Sequence, residues 1–500
     1  MGKHIAALKA RTTDILNLKF AQQVLEWDMQ AYMPPGGANA RAEQIGLLSR
    51  ITHETLTSKE TVRLLELGER ELNGAGPTSD DALTLREIRR DYDRASRIPA
   101  SLAAEMSHHS AISESVWRDA RAANDFTGFA PYLQKSFDLA RKAAECYGFE
   151  DDPYDPMLDK YEPGAKARDI EAMFAELKPQ LIELTRRIAE SGREVPNLAG
   201  RFPIEAQRGV TVSIVQAIGY DLSRGRQDEA AHPFCTSFSR DDVRITTRFD
   251  ESHLEAALYA SLHEAGHALY EQGIAEDLKD SVLGESASMA VHESQSRLWE
   301  NIVGRSRAFC RYLMPLLRET FPESMGTVDP DSLFHSVNRV ERSLIRVEAD
   351  EVTYNLHVLL RFELERALLN ETISIQDLPD AWNARMSDYL GIVPPDHKQG
   401  VLQDVHWAAG LVGYFPTYTL GNVMSGQIWA AIRKSIPSLD DKIAQGRFTE
   451  LLGWLRENIH RHGRKYRPIE LIARATGEPL TSRHYVNYLR TKYEELYDLN

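Results

Sequence analysis

Apolar residues recur every three or four positions through most of this 500-residue chain. One stretch that illustrates the pattern has apolar side chains at Leu333, Phe334, Val337, Val340, Leu344 and Ile345. Residues three and four apart share a helical face, so each such stretch forms an amphipathic helix. Neither a repeat of fixed period nor a low-complexity tract accompanies the pattern, which argues against a solenoid. The sequence predicts a mainly α protein built as a single large helical body.

Two clusters of proline and glycine interrupt this pattern. The segment Met33–Gly37 contains two consecutive prolines and ends a helix, because proline lacks the N–H that the helical ladder needs. The second cluster, Ser191–Gly209, is rich in glycine and proline. We expect it to separate an N-terminal helical region, residues 1–200, from a second helical region, residues 201–500, within one continuous domain.

A β-hairpin is predicted inside this helical protein, between residues 232 and 249. Cys235–Phe238 and Val243–Phe249 are rich in β-branched and aromatic residues, and a short polar turn joins them. A lone hairpin is only marginally stable, so it must pack against helices. Two interpretations remain open, a structural flap and an edge strand that binds an extended peptide through its main chain.

The charge and the cysteine content exclude several classes of function. Lys and Arg number 59 against 74 Asp and Glu, and the resulting net charge of −15 is spread along the chain, which makes nucleic acid an improbable partner. The three cysteines, Cys146, Cys235 and Cys310, form no C-x-x-C pair and fit a reducing compartment. With neither a signal peptide nor an apolar run of about eighteen residues, we expect a cytoplasmic protein with no membrane partner.

The motif that carries chemistry is H-E-x-x-H, formed by His263, Glu264 and His267 within a helical pattern. Two histidines four residues apart lie one turn from each other on the same helical face, so both imidazoles can reach one ion. Neutral imidazoles suit zinc, and a catalytic zinc site keeps an open position for water. Glu264, next to the first histidine, can hold that water. The alternative is a pair of histidines with a purely structural role.

The third ligand is left open by spacing alone. Tyr270 and Gly273 stand where the H-E-x-x-H-x-x-G-x-x-H class has glycine and histidine, so that class is excluded. A glutamate from a following helix is the other common solution, and Glu293 lies 26 residues after His267. The residues that compete with Glu293 on spacing are Glu285, His292 and Glu300.

Several motifs in one order resemble the carboxypeptidase Taq family of zinc metallocarboxypeptidases over nearly the whole chain. They are H-P-F at His232–Phe234, D-x-R-x-T at Asp242, Arg244 and Thr246, H-E-x-x-H at His263–His267, H-E-S-Q at His292–Gln295, I-R-x-x-A-D at Ile345, Arg346, Ala349 and Asp350, and G-x-x-Q-D-x-H-W at Gly400, Gln403, Asp404, His406 and Trp407. Trp27, Asp28 and Met33–Pro35 also fit. Ser296 departs from the wider pattern of glutamate zincins and leaves the partners of the two histidines unassigned.

The resemblance implies more than the residues show by themselves. It implies a zincin-like, neurolysin-like helical fold with a deep substrate groove, one wall of which is the N-terminal region. It makes Glu293 the third zinc ligand and implies one Zn²⁺ per chain, for which Co²⁺ or another divalent ion can substitute. It also implies a homodimer that releases single amino acids from the C-termini of peptides with broad specificity.

These residues have definable roles in peptide hydrolysis. Zinc activates water and polarises the carbonyl, while Glu264 acts as the general base. A protein donor usually assists the oxyanion, and Tyr414 is our candidate, with Tyr418 nearby in the same glycine-flexed loop. Packing is the ordinary alternative for both tyrosines.

Arg346 is the candidate for the substrate's C-terminal carboxylate, because a guanidinium matches a carboxylate with two parallel donors. The alternative is an i,i+4 ion pair with Asp350 on a helix spanning 343–352. The remaining candidate substrate-binding residues are His232, Arg244, Gln403 and His406. For Gln403, Asp404 and His406 a buried polar network that braces the helices is the alternative, and His232 could instead cap the hairpin.

Three functions compete on this basis. The first is a cytoplasmic zinc carboxypeptidase. The second is an endo-acting oligopeptidase of the neurolysin type, which shares the zinc chemistry and needs no carboxylate clamp. The third is a helical scaffold with a structural or vestigial metal site, which would give Glu264 no role.

Overall fold

The structure, a computed structural model, describes residues 2–72 and 76–499 and is mainly helical, as predicted. The helices of the first part are α1 Lys3–Ala31, α2 Ala38–Leu56, α3 Lys59–Glu71, α4 Asp80–Arg97, α5 Ala100–Ala123, α6 Phe126–Tyr147, α7 Tyr154–Asp159, α8 Ala167–Glu190 and α9 Ile204–Ala217. Those of the second part are α10 Leu254–Gly273, α11 Met289–Arg297, α12 Arg307–Thr320, α13 Pro322–Met325, α14 Pro330–Val337, α15 Tyr354–Leu369, α16 Leu378–Leu390, α17 Pro416–Ser435, α18 Leu439–Ala444, α19 Thr449–Asn458, α20 Pro468–Thr476 and α21 Arg483–Leu496.

Local sequence explains where many helices begin and end. The prolines of Met33–Gly37 separate α1 from α2, and α8 ends at the start of Ser191–Gly209. At the start of α3, the Ser58 hydroxyl accepts a hydrogen bond from the N–H of Thr61, and Ser79 and Ser288 cap α4 and α11 in the same way. None of the described helices is apolar over a length that would cross a bilayer.

One hydrophobic core runs through most of the molecule. It extends from Ala120 to Tyr497 and includes side chains on both sides of residue 200. A smaller cluster joins α1, α3 and α4 to Val282. The division at residue 200 therefore stays a prediction about chain organisation, since the core itself continues across it.

The predicted hairpin is present and belongs to a three-stranded sheet. β2 (Cys235–Ser239) pairs antiparallel with β3 (Asp242–Thr247), and β1 (Gly225–Glu229) pairs parallel with the other side of β3. The order β1-β3-β2 leaves β2 at an edge. The sheet packs on α10, and β2 also contacts α1, so helices support the hairpin as expected.

The helix predicted around Arg346 is wrong. α14 ends at Val337, a single 3₁₀ turn covers Arg346–Glu348, and α15 begins only at Tyr354. The backbone N–H of Arg346 donates to Gln403 Oε1 instead of to a helical carbonyl. The Asp350 carboxylate accepts the backbone N–H groups of Val352 and Thr353, which fixes a turn. The segment is shaped by side chains that compete with the helical ladder.

Candidate metal centre

His263 and His267 lie on α10, and Glu293 on α11 faces both. The Nε2 atom of each histidine is 3.9 Å from a carboxylate oxygen of Glu293. The three ligand atoms all lie within 4.8 Å of one another, and no other such group of His, Cys, Asp or Glu occurs among the described residues. Two imidazoles and one carboxylate that converge in this way can hold one divalent ion.

Two glycines allow the helices of this centre to approach closely. A Cβ on Gly266, inside the H-E-x-x-H motif, would lie 2.6 Å from the Cα of Ser296 on α11. A Cβ on Gly421 of α17 would lie 2.5 Å from the Cβ of Glu293. Glu293 is therefore held between α10 and α17 with no room for an added methyl group.

The outer nitrogen of each histidine has a partner. His263 Nδ1 lies 2.8 Å from Glu300 Oε2, so the N–H is on Nδ1 and the lone pair is on Nε2. His267 Nδ1 lies 2.5 Å from His292 Nδ1, and His292 Nε2 donates to Glu271 Oε1 at 2.8 Å. This chain again places the N–H of His267 on Nδ1. Both Nε2 lone pairs thus face Glu293, which is the arrangement that a metal requires.

The other candidates for the third ligand, Glu285, His292 and Glu300, form hydrogen bonds to other side chains. Glu300 and His292 contact the Nδ1 atoms of the two histidines. Glu285 accepts hydrogen bonds from Arg464 and Lys19. Glu293 is the residue whose carboxylate faces both Nε2 atoms, so the geometry favours it.

The sequence contained a signal for the partners that we left unassigned. Glu271 lies four residues after His267 and therefore on the same face of α10. Glu300 lies in a π-helical turn, Leu298–Val303, which directly follows α11. Spacing raised Glu300 only as a rival ligand, because its contact with His263 depends on how α11 crosses α10.

Glu264 is buried beside this group, with 6% of its surface exposed, and lines the adjoining cavity. Burial raises the pKa of its carboxyl to about 7, although the neighbouring His263 opposes the rise. A carboxylate with a raised pKa is a stronger proton acceptor than one in water. Glu264 is therefore suited to accept and return a proton near neutral pH.

The start of α11 is held by two residues from the N-terminal region. Met289 N–H donates to the carbonyl oxygen of Tyr161, and Ala290 N–H donates to Glu162 Oε1 at 2.5 Å. Ala290 and Glu162 are almost completely buried. Burial raises the pKa of Glu162 to about 8, against the effect of the hydrogen bond from Ala290. These bonds fix the helix that carries Glu293, and nothing in the local sequence of α11 indicates them.

The cavity at this centre has a volume of about 560 Å³, within the usual range for small-molecule sites. Its walls come from α1, the edge strand β2, α10, α11 and the loops before α11 and α17. Tyr418 lies in the first turn of α17 and not in the loop where the sequence predicted it, whereas Tyr414 is in that loop. The lining includes Leu16, Phe20, Gln23, Cys235, Thr236, Ser237, Tyr414 and Tyr418. α1 thus forms one wall of this cavity, and the role of residues 1–200 as one wall of a substrate groove stays a prediction.

Arg346 lies behind this cavity in a buried cluster of charges. Its Nε and Nη2 atoms donate to Asp404 Oδ1, and Nη1 donates to the hydroxyl of Tyr354. Arg361 donates to the other oxygen of Asp404 at 2.6 Å. Burial opposes ionisation of Asp404, but the two guanidinium groups hold its pKa well below the ordinary value. The predicted alternative, an ion pair with Asp350, is wrong, since Arg346 pairs with Asp404.

Two guanidinium groups share one carboxylate here, so the cluster keeps one positive charge in excess. The ring of Tyr418, which lines the cavity, lies 5.2 Å from the guanidinium carbon of Arg346. His406 Nε2 lies 3.4 Å from the Tyr418 hydroxyl, and burial lowers the pKa of His406 to about 4. A neutral His406 adds no charge of its own to the cluster.

The remaining predicted substrate-binding residues, Gln403, His232 and Arg244, lie outside the lining of this cavity. Gln403 donates to the carbonyl oxygens of Leu344, Gln399 and Gly400 and braces the turn at Arg346. His232 is exposed at the end of the hairpin.

Arg244 pairs with Asp242 through two hydrogen bonds of 2.8 Å. Its guanidinium carbon also lies 4.3 Å from the centre of the Trp27 ring. It thereby joins the sheet to α1, and it is absent from the cavity lining.

The comparisons with known proteins identify the family of this chain. Residues 7–493 match the model of the family described as carboxypeptidase Taq (M32) metallopeptidase. The chain is 44% identical to thermostable carboxypeptidase 1 of Thermus thermophilus over 94% of both chains, and 40% identical to that of Pyrococcus furiosus over 98% of both. The crystal structure of an M32 carboxypeptidase from Deinococcus radiodurans superposes with a TM-score of 0.96, at 42% identity, over 99% of this chain and 100% of that one. The resemblance drawn from the motifs is confirmed, and the chain belongs to the carboxypeptidase Taq family of metallopeptidases.

Proposed function

We propose that this metallocarboxypeptidase is a zinc enzyme that removes single amino acids from the C-termini of peptides. The observation that carries the proposal is the convergence of His263, His267 and Glu293 beside the buried Glu264. A zinc ion held by these ligands, one per chain, would supply a Lewis acid that activates water and polarises the peptide carbonyl. Co²⁺ or another divalent ion can substitute.

Glu264 is the proposed general base. Its carboxylate takes the proton from the attacking water and then passes that proton to the leaving amine. The burial that raises its pKa favours this return of the proton. Tyr414 lines the same cavity and is the proposed donor to the developing oxyanion, with Tyr418 as the neighbouring hydroxyl.

The substrate's main chain has a partner in β2. Cys235, Thr236 and Ser237 line the cavity, and β2 is an edge strand of the sheet. An extended peptide can add to such an edge through main-chain hydrogen bonds. His232 and Arg244 flank this strand and are proposed to contribute to substrate binding there.

Arg346 is proposed to select the C-terminal carboxylate through the excess charge of its cluster. Asp404 already accepts hydrogen bonds from the Arg346 guanidinium. The attraction for the substrate's C-terminal carboxylate therefore comes from the net positive charge of two arginines that share one carboxylate. Gln403 accepts the N–H of Arg346 and His406 contacts Tyr418, so both brace this cluster, which lies behind Tyr418 and outside the cavity lining. An endopeptidase would need no such charge, which favours the carboxypeptidase over the oligopeptidase.

Product analysis of one peptide as its free acid and as its amide tests this function. The free acid should release single residues in sequence, and a chelator should stop the release. The amide should be cleaved about tenfold to a hundredfold more slowly, a difference of about 1.4–2.7 kcal/mol in the barrier. Equal rates with internal fragments would favour the oligopeptidase and contradict the proposal.

Substitutions of Arg346 test whether this residue causes the difference in rate between the free acid and the amide. Arg346→Ala should slow cleavage of the acid and leave the amide unchanged, which removes the difference between the two substrates. Arg342→Ala is the matched control, because among the described residues the Arg342 side chain donates a hydrogen bond only to the carbonyl oxygen of Leu390, and the variant should leave the difference intact. Arg346→Lys should restore it in part, since lysine offers a point charge without the planar fork.

We also propose a cytoplasmic homodimer. All three cysteines are free thiols, which suits a reducing compartment. The homodimer is supported by the family resemblance, and light scattering of the purified protein tests it.

A further inference from the structure

A second cavity lies on the other side of Arg297 from the catalytic one. Its volume is about 240 Å³, enough for about eight water molecules or one small organic molecule. Arg297 lines both cavities. Glu300, which contacts His263, also lines the second cavity. The two cavities are thus separated by side chains that touch the metal centre.

Four residues of this second cavity carry buried polar atoms that have no hydrogen-bond partner among the described residues. Three are acceptors, Glu255 Oε2, Asn338 Oδ1 and Glu351 Oε1, and one is a donor, Arg297 Nε. Asn338 is 2% exposed, and the side chain of Glu351 is 3% exposed. Buried polar groups are nearly always paired, so these four atoms indicate a polar occupant.

The balance of these atoms indicates which kind of occupant fits. An ammonium group donates three hydrogen bonds and accepts none, whereas a carboxylate only accepts. Three open acceptors therefore match an ammonium group. Arg297 Nε lies 3.7 Å from Glu293 Oε2, beyond hydrogen-bond distance, so its N–H remains able to donate to a carboxylate. Glu255 has no ion-pair partner within 4.0 Å among the described residues, so a cation would also compensate its charge.

Other occupants fit less well. A metal ion needs several convergent ligand atoms, and the described carboxylates of this cavity do not form such a group. An inorganic anion would leave the three acceptors unpaired. Water could pair with all four atoms, but it would leave the charge of Glu255 uncompensated.

We infer that this cavity binds a free amino acid as its zwitterion. The α-ammonium group lies among Glu255, Asn338 and Glu351, and the α-carboxylate lies at Arg297. The volume is sufficient for one small amino acid. The binding site is argued from the cavity residues alone. The origin of the amino acid rests on the proposed function, because a carboxypeptidase would release such a zwitterion in the neighbouring cavity.

Titration calorimetry of the zinc-loaded enzyme tests the site with three small probes. L-Alanine should bind, whereas N-acetyl-L-alanine, which lacks the ammonium group, and L-alaninamide, which lacks the carboxylate, should each bind at least about tenfold more weakly. Glu255→Gln should weaken L-alanine by about tenfold or more. Glu205→Gln is the matched control, because Glu205 also lies in the first turn of a helix and its side chain is 86% exposed.

A second substitution at Glu255 tests L-alanine binding independently of Glu255→Gln. Glu255→Lys puts a tethered ammonium group at the cavity and should abolish binding of L-alanine while the chain stays folded by circular dichroism. Binding that survives both Glu255 variants would place L-alanine in the catalytic cavity and overturn the inference. Absence of binding at about 10 mM L-alanine would overturn it as well and leave the cavity to water.

Peptide hydrolysis measured in parallel separates the two proposals. If turnover is absent while L-alanine binds as expected, the proposed function fails and the site stands. If turnover is normal while L-alanine does not bind, the site fails and the proposed function stands.

Discussion

Gly266 gives the sharpest test of how the metal centre is built, because its substitution changes packing and none of the ligands. A Cβ at this position would lie 2.6 Å from Ser296 Cα, 2.7 Å from the carbonyl oxygen of Gln295 and 2.9 Å from Ser296 N. All three atoms are backbone atoms of α11, so no side-chain rotation can relieve the overlap. Relief requires a movement of about 0.5–0.8 Å before ordinary contact at 3.4 Å is reached.

This movement sets the expected magnitude for Gly266→Ala. Overpacking of this kind costs about 1–3 kcal/mol, and the better helix propensity of alanine returns about 1 kcal/mol. The net loss of unfolding free energy should therefore lie between about 0 and 2 kcal/mol. Glu293 lies one turn before Ser296 and moves with α11, so zinc affinity should fall by about tenfold, since such sites tolerate only about 0.5 Å.

Zinc affinity measured by competition with a chelating dye, together with urea unfolding, checks both numbers. Gly209→Ala is the matched control, because Gly209 lies on the exposed face of α9 and an added Cβ meets nothing within 4 Å. That variant should gain about 0.5–1 kcal/mol and keep its zinc affinity. If Gly266→Ala behaves like the control, the close contact of α10 with α11 does not hold Glu293 in place, and the argument is refuted.

Three further outcomes are expected at the centre. Glu264→Gln should keep zinc and lose at least about 99% of turnover in a peptide hydrolysis assay, since the amide cannot accept the water's proton; a residual tenth of the parent rate would exclude the general-base role. Glu293→Ala should abolish zinc binding by metal analysis whereas Glu285→Ala should retain it, and the reverse result would reassign the ligand. Glu300→Ala should weaken zinc by about 10–100-fold. Excess zinc should then restore most of the turnover, which the loss of a true ligand would not permit.

Local patterns in the sequence predicted a large part of this molecule. The prolines of Met33–Gly37 end α1, and the β-branched runs after residue 232 form β2 and β3. The i,i+4 spacing of His263 and His267 is sufficient to place both on one face of a buried helix. In each case the signal lies within one element, where backbone preference and spacing act directly.

The features that the sequence did not predict depend on contacts between distant segments. β1 has a polar sequence, GRQDE, and becomes a strand because β3 offers it a parallel partner. The helix expected at Arg346 does not form, since Gln403, 57 positions away in sequence, takes the N–H of Arg346. The relay from His267 through His292 to Glu271 likewise exists only once α11 crosses α10. Periodicity contains no information about such crossings.

The anchoring of α11 by Tyr161 and Glu162 means that the centre cannot be reduced to the segment that contains its ligands. A fragment of residues 201–500 would retain His263, His267 and Glu293, yet the N–H groups at the start of α11 would lose both acceptors. Water would then solvate these N–H groups, and the loss of each hydrogen bond would cost about 0.5–3 kcal/mol. We therefore expect metal binding to require the intact chain, because the segment that holds α11 in place lies before residue 200 and the ligands lie after it.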